Sequence, residues 1–298
     1  MAKGIALPEI CSLVEDGNVT LLVKNEFKEK LLKQGISHPT QLIANTSHIP
    51  KHFKGRDSLP SILIQESNGK RMLVKHCMRG GWVRFLTKDI FWGGNRSFNE
   101  MIINIKILQK NIKTTEIIAA AKHKIIGPLY KAYLFSKEIP ECTDLITYFN
   151  GVTQKSSEQR FKEKKYLFHS IAKAVVKMHG EGIYHSDLHL KNILIRQRND
   201  DSPEVYIIDF DKADIKEKLR AREKVKNLLR FNRSIEKYKL KGGAITRADQ
   251  MRFFREYFNK DKEVADLFNK NRKRYISLSR LHKLKWNFFN FIPTMLKK

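Results

Sequence analysis

Two short polar loops, each leaning on an apolar run, constrain this chain more than any bulk property does. The first reads Gly182-Ile-Tyr-His-Ser-Asp-Leu-His-Leu-Lys-Asn192 and enters Ile193-Leu-Ile195; the second leaves Val205-Tyr-Ile-Ile208 as Asp209-Phe-Asp211. The runs Ile193–Ile195 and Val205–Ile208 flank the polar turn Gln197–Pro203, which suggests a small hairpin. An Asp and an Asn five residues apart on a loop let the carboxylate take a proton from an attacking hydroxyl while the amide oxygen coordinates a metal. An Asp at the end of a buried strand supplies a second metal ligand. Either half alone is weak, and the pair is specific. His185 and His189, four apart, would make a zinc pair only on a helix, and their Ser-Asp-Leu context reads as loop.

Upstream, Val19–Val23 reads as a strand followed by a charged helix from Asn25 to Gln34 that stops at Gly35. Ser61–Gln65 and Met72–Lys75 flank Asn68-Gly69, a strong hairpin signal. Ser97–Lys110 carries Phe98, Met101, Ile102, Ile105 and Leu108 at helical spacing. Further strands are expected at Ile117–Ala121 and Tyr130–Ser136. From Glu158 to His179, the positions Phe161, Phe168, Ile171, Ala172, Val175 and Met178 mark an amphipathic helix that Gly180 closes. Pro140, within Glu138–Thr143, places a connector between two halves. The expected organisation is an N-terminal extension over 1–50, a sheet-bearing lobe with one main helix over 51–140, and a mostly helical lobe over 141–298 with a basic helical C-terminal extension.

Three cysteines lie far apart without a CxxC pair, which argues against a disulfide framework or zinc ribbon and for a reducing, cytoplasmic setting. The N-terminus is too short in apolar residues for a signal peptide, and no run approaches the roughly 20 apolar residues of a membrane span. A formal charge of +27 implies a polyanionic partner: nucleic acid, an anionic membrane surface or a phosphorylated substrate. Residues 212–298 hold 26 Lys and Arg against 9 Asp and Glu, so the basic face belongs mostly to the C-terminal part. The aromatic, basic stretch from Arg272 to Lys298 supports two readings, an interfacial membrane segment or a core-packing helix with a solvated face.

His185-Ser-Asp187 to Asn192 and Asp209-Phe210 resemble the catalytic and metal-binding loops of the protein-kinase-like superfamily. The resemblance implies an α+β, two-lobed fold with a small antiparallel-sheet N-lobe, one main N-lobe helix and a mostly helical C-lobe. It implies ATP and magnesium as cofactors, Asp187 as catalytic base, Asn192 and Asp209 as magnesium ligands, and His185 as a buttress of the loop. Lys75, ending Met72-Leu-Val-Lys75, fits the ATP-positioning lysine, and Glu100, early in the helix after Arg96, fits its ion-pair partner. The usual glycine-rich loop is reduced to Gly55 within Lys54–Ser58, so the backbone cradle over the phosphates is degenerate.

A narrower resemblance rests on Val74-Lys-His-Cys-Met-Arg-Gly-Gly81, Leu86-Thr-Lys-Asp89 with Phe91, Arg96-Ser-Phe-Asn-Glu100 and Asp209-Phe-Asp-Lys-Ala213. Over roughly residues 54–235 these resemble the lipopolysaccharide core kinases, the family of 3-deoxy-D-manno-octulosonic acid (Kdo) kinase and heptose kinase. Asn227-Leu-Leu-Arg230 and Arg233-Ser234 are similar to that family's downstream basic helix. The resemblance implies phosphorylation of a sugar hydroxyl, Kdo first, on the lipid-linked inner core (lipid A-Kdo). It places the protein peripherally on an anionic membrane surface at the cytoplasmic face of the inner membrane, with no nucleic acid. Arg230 and Arg233 suit substrate phosphates or the Kdo carboxylate, or else form a solvated face. Two alternatives stay open: a minimal protein kinase or small-molecule phosphotransferase of the same fold, and a catalytically dead kinase scaffold that binds nucleic acid or membrane.

Overall fold

The computed structural model describes residues 7–44, 59–64, 69–78, 89–152, 156–197, 203–271, 273–275 and 277. The segments Lys54–Ser58, Arg79–Lys88 and 281–298, which carried sequence expectations, lie outside the described residues. The chain divides into two compact units, Met1–Pro140 and Glu141–Lys298.

In the first unit the elements run β1 (Cys11–Asp16), β2 (Val19–Lys24), α1 (Lys28–Lys33), α2 (Pro39–Ala44), β3 (Ser61–Leu63), β4 (Arg71–His76), β5 (Phe91–Trp92), α3 (Arg96–Gln109), β6 (Ile117–Ile126) and β7 (Leu129–Lys137). Among the described residues, seven strands make one antiparallel sheet in the order β1-β2-β6-β7-β4-β3, with β5 also on β7. The 1–50 segment, expected as an N-terminal extension with a strand at Val19–Val23, supplies two of these strands, with Val19 to Val23 of β2 registered against His123 to Ala119 of β6. The charged helix expected from Asn25 is also shorter. Asn25 is held by Ser12 Oγ, which donates to its side chain, and by the Glu9 carbonyl, which accepts from it. The chain therefore passes through a 3-10 turn before α1 begins at Lys28, and Gly35 ends the segment with a φ of +82°.

Strand alternation sorts the core into two faces. Leu21, Val23, Met72, Val74, Ala119, Ala121 and Phe135 pack with Leu31 of α1. Leu22, Ala120 and Leu134 face the other way, onto Phe98, Met101 and Ile105 of α3. Along α3, Ile107 is fully buried and Leu108 only half-buried, so the stripe turns one residue away from the expected Leu108 at its C-terminal end. Asn104 fixes the helix to the sheet: its side chain donates to the Thr115 carbonyl and accepts from the Ile117 amide at the start of β6.

The second unit runs β8 (Cys142–Asp144), α4 (Leu145–Val152), α5 (Ser157–Gly180), β9 (Ile183–Tyr184), β10 (Ile193–Arg196), β11 (Glu204–Ile207), β12 (Asp214–Ile215), α6 (Ala221–Leu240), α7 (Arg247–Lys260) and α8 (Lys262–Lys270). The expected hairpin is β10 against β11, with β8 on its other edge; β9 pairs with β12. Asp144 caps α4 by accepting from the Ile146 and Thr147 amides, and Ser156 Oγ caps α5. Phe168, Ile171, Ala172, Val175 and Met178 of α5 are fully buried. Phe161, expected in the same stripe, is 57% exposed and lies under the Arg252 guanidinium. Lys164, one turn in from Phe161, replaces an apolar side chain at the buried face and donates to the Ala244 carbonyl.

Gly180, expected to close α5, is its last helical residue, and the turn at positive φ falls two residues on, at Gly182 with φ +74°. There the chain comes against Lys216, whose amide donates to the Gly182 carbonyl at 2.9 Å, and a Cβ on Gly182 would lie 1.9 Å from the Lys216 carbonyl oxygen. A Cβ on Gly180 meets nothing within 4 Å. Gly182→Ala is therefore expected to destabilise the protein by about 2–4 kcal/mol. Gly180→Ala is expected to stabilise it slightly, by about 0.5 kcal/mol, through its better helix propensity. Urea denaturation of the two variants beside the wild type distinguishes these outcomes.

Candidate active site

The loop that follows β9 is held from three directions by buried polar contacts. His185 is almost wholly buried. Its Nδ1 accepts from the Asp187 amide at 3.1 Å, and its Nε2 donates to the Ile208 carbonyl at 3.0 Å, one residue before Asp209. Burial lowers its pKa, so the ring is the neutral Nε2–H tautomer that this pattern requires. Asn192 then closes the loop on itself. Its side-chain Nδ2 donates to the Asp187 carbonyl at 3.0 Å, and its own carbonyl accepts from the Ile208 amide at 2.9 Å. With Nδ2 committed to Asp187, the amide oxygen of Asn192 points to the other side, the polarity a cation needs. These two ties bring Asp187, Asn192 and Asp209 into one hydrogen-bonded assembly.

Asp209 leaves the β11 strand with a φ of +66°, in the left-handed region that a non-glycine residue enters at some energetic cost. The kink sends Phe210 inward, where it is buried with its ring 4.7 Å from that of His185, while Asp209 stays exposed. A strained backbone thus splits two neighbouring side chains between core and solvent.

One face of α6 grips the loop. Asn227 is fully buried and bonds both sides of His185, accepting from its amide at 3.1 Å and donating to its carbonyl at 2.9 Å. One turn on, Arg230 donates through Nε at 3.1 Å and Nη2 at 2.5 Å to Asp187 Oδ1, and a turn further Ser234 Oγ accepts from the Leu190 amide at 3.2 Å. Asp187 Oδ2 faces His189 Nε2 at 3.4 Å; burial lowers the His189 pKa, and the nearby Asp187 charge raises it. The side chains of Arg230 and Asp187 are 44% and 46% exposed, so their ion pair contributes only about 0.2–1 kcal/mol. The sequence suggested a substrate clamp or a solvated face for Arg230, and in the structure it sits on Asp187. Sequence reasoning assigned no role to Asn227 or Ser234. Their spacing of seven on an amphipathic helix was the available signal.

In the first unit, Lys75 lies opposite Leu134 in the β4–β7 ladder and so shares the sheet face covered by α3. Its ammonium donates to Glu100 Oε1 at 3.1 Å. Glu100 is buried in the first turns of α3, so the pair is anchored on its acidic side. The five residues singled out in the sequence therefore form two groups: Lys75 with Glu100 in the first unit, and Asp187, Asn192 and Asp209 in the second.

An Asp–Asn loop tied to a second Asp at a strand end, together with a strand lysine paired to a helix glutamate, defines the protein-kinase-like class. The fold agrees with that class over most of the chain. It superposes on a solved structure described as WaaP in complex with acyl carrier protein with a TM-score of 0.56, at 17% identity, over 88% of this chain and 98% of that one. A model of the Lipopolysaccharide kinase (Kdo/WaaP) family matches residues 51–257, and the chain belongs to that family. Among its relatives, the 3-deoxy-D-manno-octulosonic acid kinase of Vibrio cholerae is 31% identical over 193 residues, 63% of this chain and 74% of that protein. The enzyme of the same description from Mannheimia succiniciproducens is 31% identical over 188 residues, 62% and 73% of the two chains. The protein is a lipopolysaccharide core kinase, a phosphotransferase that acts on a sugar hydroxyl and, as a kinase, uses ATP.

Behind Asn227 the network continues into the core. His179 of α5 donates from Nε2 to Asn227 Oδ1 at 3.2 Å and accepts at Nδ1 from the Tyr257 hydroxyl of α7 at 2.7 Å. Full burial pushes its pKa down to about 4, against 6.5 for the free side chain. The unfolded chain therefore binds a proton that the folded state refuses between those values. The stabilisation is complete above about pH 6.5 and is lost as the pH falls towards 4, by at most about 3 kcal/mol. His179→Gln is expected to flatten that stretch of the stability profile, measured by urea denaturation between pH 7.5 and 4.5.

Proposed function

We propose that the chain phosphorylates a hydroxyl of Kdo on the lipid-linked inner core, with Asp187 as the catalytic base. The observation that carries this reading is the loop in which Asn192 and His185 both bond to Asp187 while its carboxylate stays half exposed. A base must be rigidly supported behind and accessible in front. Asp187 takes the proton of the acceptor hydroxyl as its oxygen forms a bond to the γ-phosphorus; the bond from that phosphorus to the bridging oxygen breaks, and ADP leaves.

Asn192 and Asp209 fit magnesium, since an amide oxygen and an exposed carboxylate are the hard oxygen donors this cation prefers. Bound with ATP, magnesium supplies charge neutralisation on the phosphates. Lys75, aimed by Glu100, takes the α- and β-phosphates. The acceptor reading comes from the relatives, two of which are named as kinases of 3-deoxy-D-manno-octulosonic acid.

In this reading the substrate is lipid-linked, and the protein works peripherally on the cytoplasmic face of the inner membrane. Among the described residues no helix is long and apolar enough to cross a membrane, and the charge of +27 suits anionic headgroups rather than nucleic acid in this reading.

Incubation with Mg-ATP and purified Kdo-bearing lipid A precursor is expected to add the mass of one phosphate to the lipid. Asp187→Asn should lower kcat by about 10²–10⁴-fold while the dissociation constant for ATP, measured by calorimetry, stays close to the wild-type value. Label that passes to protein and not to lipid would sink the acceptor assignment.

A further inference from the structure

Arg230 meets Asp187 in a geometry that leaves both partners incompletely used. A guanidinium is shaped for two parallel bonds to the two oxygens of one carboxylate. Here Nε and Nη2 converge on the single oxygen Oδ1, and Oδ2 faces His189 instead. Two N–H groups on Oδ1 fill the lone pairs of that oxygen, so an acceptor hydroxyl is left with Oδ2 alone. Both side chains are close to half exposed, so solvent and solutes reach the pair. The position of Arg230 is set from behind, because Asn227 and Ser234 fix α6 to the loop on either side of it.

An acceptor that carries its own carboxylate relieves both partners at once. Its hydroxyl donates to Asp187, and its carboxylate takes the two-pronged face of Arg230. With the guanidinium beside Asp187, the two groups read a hydroxyl and a carboxylate side by side, as neighbouring substituents of one sugar ring would present them. The relatives' substrate is, by name, a sugar acid.

We propose that Arg230 is a specificity-determining residue that reads the carboxylate of the acceptor sugar and, in doing so, yields Asp187 to the acceptor hydroxyl. The inference rests on the acceptor assignment made above and adds to it the means by which an acidic sugar is told from a neutral one.

The test compares kcat/KM of the wild type, Arg230→Gln and Arg230→Lys on two acceptors: the Kdo-bearing lipid A precursor, and the same lipid with the Kdo carboxyl converted to its primary amide. The wild type is expected to favour the acid by about 100-fold. Arg230→Gln should bring that ratio to within about threefold of unity by losing activity on the acid, and Arg230→Lys should keep part of it, about tenfold, as a point charge without the fork. Equal use of acid and amide by the wild type overturns this inference alone. So does an equal loss on both acceptors in Arg230→Gln, which would assign the arginine to the phosphate or to Asp187. No product from either acceptor in the wild type overturns the acceptor assignment and this inference with it.

Discussion

The second unit depends on one side chain's grip on one peptide segment. Asn227 bonds the amide and the carbonyl of His185 together, from a position with no access to water. Loops ordinarily run over the surface because a buried one must find partners for its backbone polar groups. Here the partners come from an amide side chain on α6, a histidine ring that bonds the Asp187 amide and the Ile208 carbonyl, and the hydroxyl of Ser234. Because each of these groups is satisfied, the loop can be buried at its root and still present Asp187 to solvent at its tip.

The arrangement separates support from work. The groups that hold the loop are buried and neutral: His185 and His179 both have pKa values lowered by desolvation. The groups that would meet a ligand, Asp187, Arg230 and Asp209, are exposed or half exposed. A neutral support carries no long-range field of its own, so the charge balance at the tip is set by the tip's own residues and by what binds there. The backbone strain at Asp209 belongs to the same division, since it lets one residue face water while the next packs under His185.

Much of this was legible in the sequence, and the remainder failed for identifiable reasons. The β10–β11 hairpin, α3 and α5 carry periodic apolar patterns, and Lys75, Glu100, Asp187, Asn192 and Asp209 lie on the elements expected for them, with their chemistry the proposal made above. The role of Asn227 was not legible. A polar stripe on a helix shows that one face differs from the others, but which surface it meets is settled by tertiary docking. Strand β1 was missed because half of Cys11–Asp16 is polar and its partner lies next to it in sequence, so the pattern reads as loop. Gly180 ends both the apolar stripe and α5, but the positive φ falls at Gly182, where the chain must clear Lys216, and no pattern in the sequence marks that approach. Phe161 was placed in the core because a repeat at helical spacing does not show where a helix outruns its neighbours.

The position of β2 bears on how the family should be delimited. The family match begins at residue 51, yet the partner of β6 comes from residues 19–24, ahead of that boundary. A chain trimmed to the matched segment would lose Leu21, Leu22 and Val23 from the two core faces and leave β6 with a bare row of amides and carbonyls. Such a rim invites edge-to-edge association between molecules. The boundary of sequence similarity and the boundary of the smallest piece with a complete sheet are therefore different lines in this protein, and the second lies nearer the N-terminus.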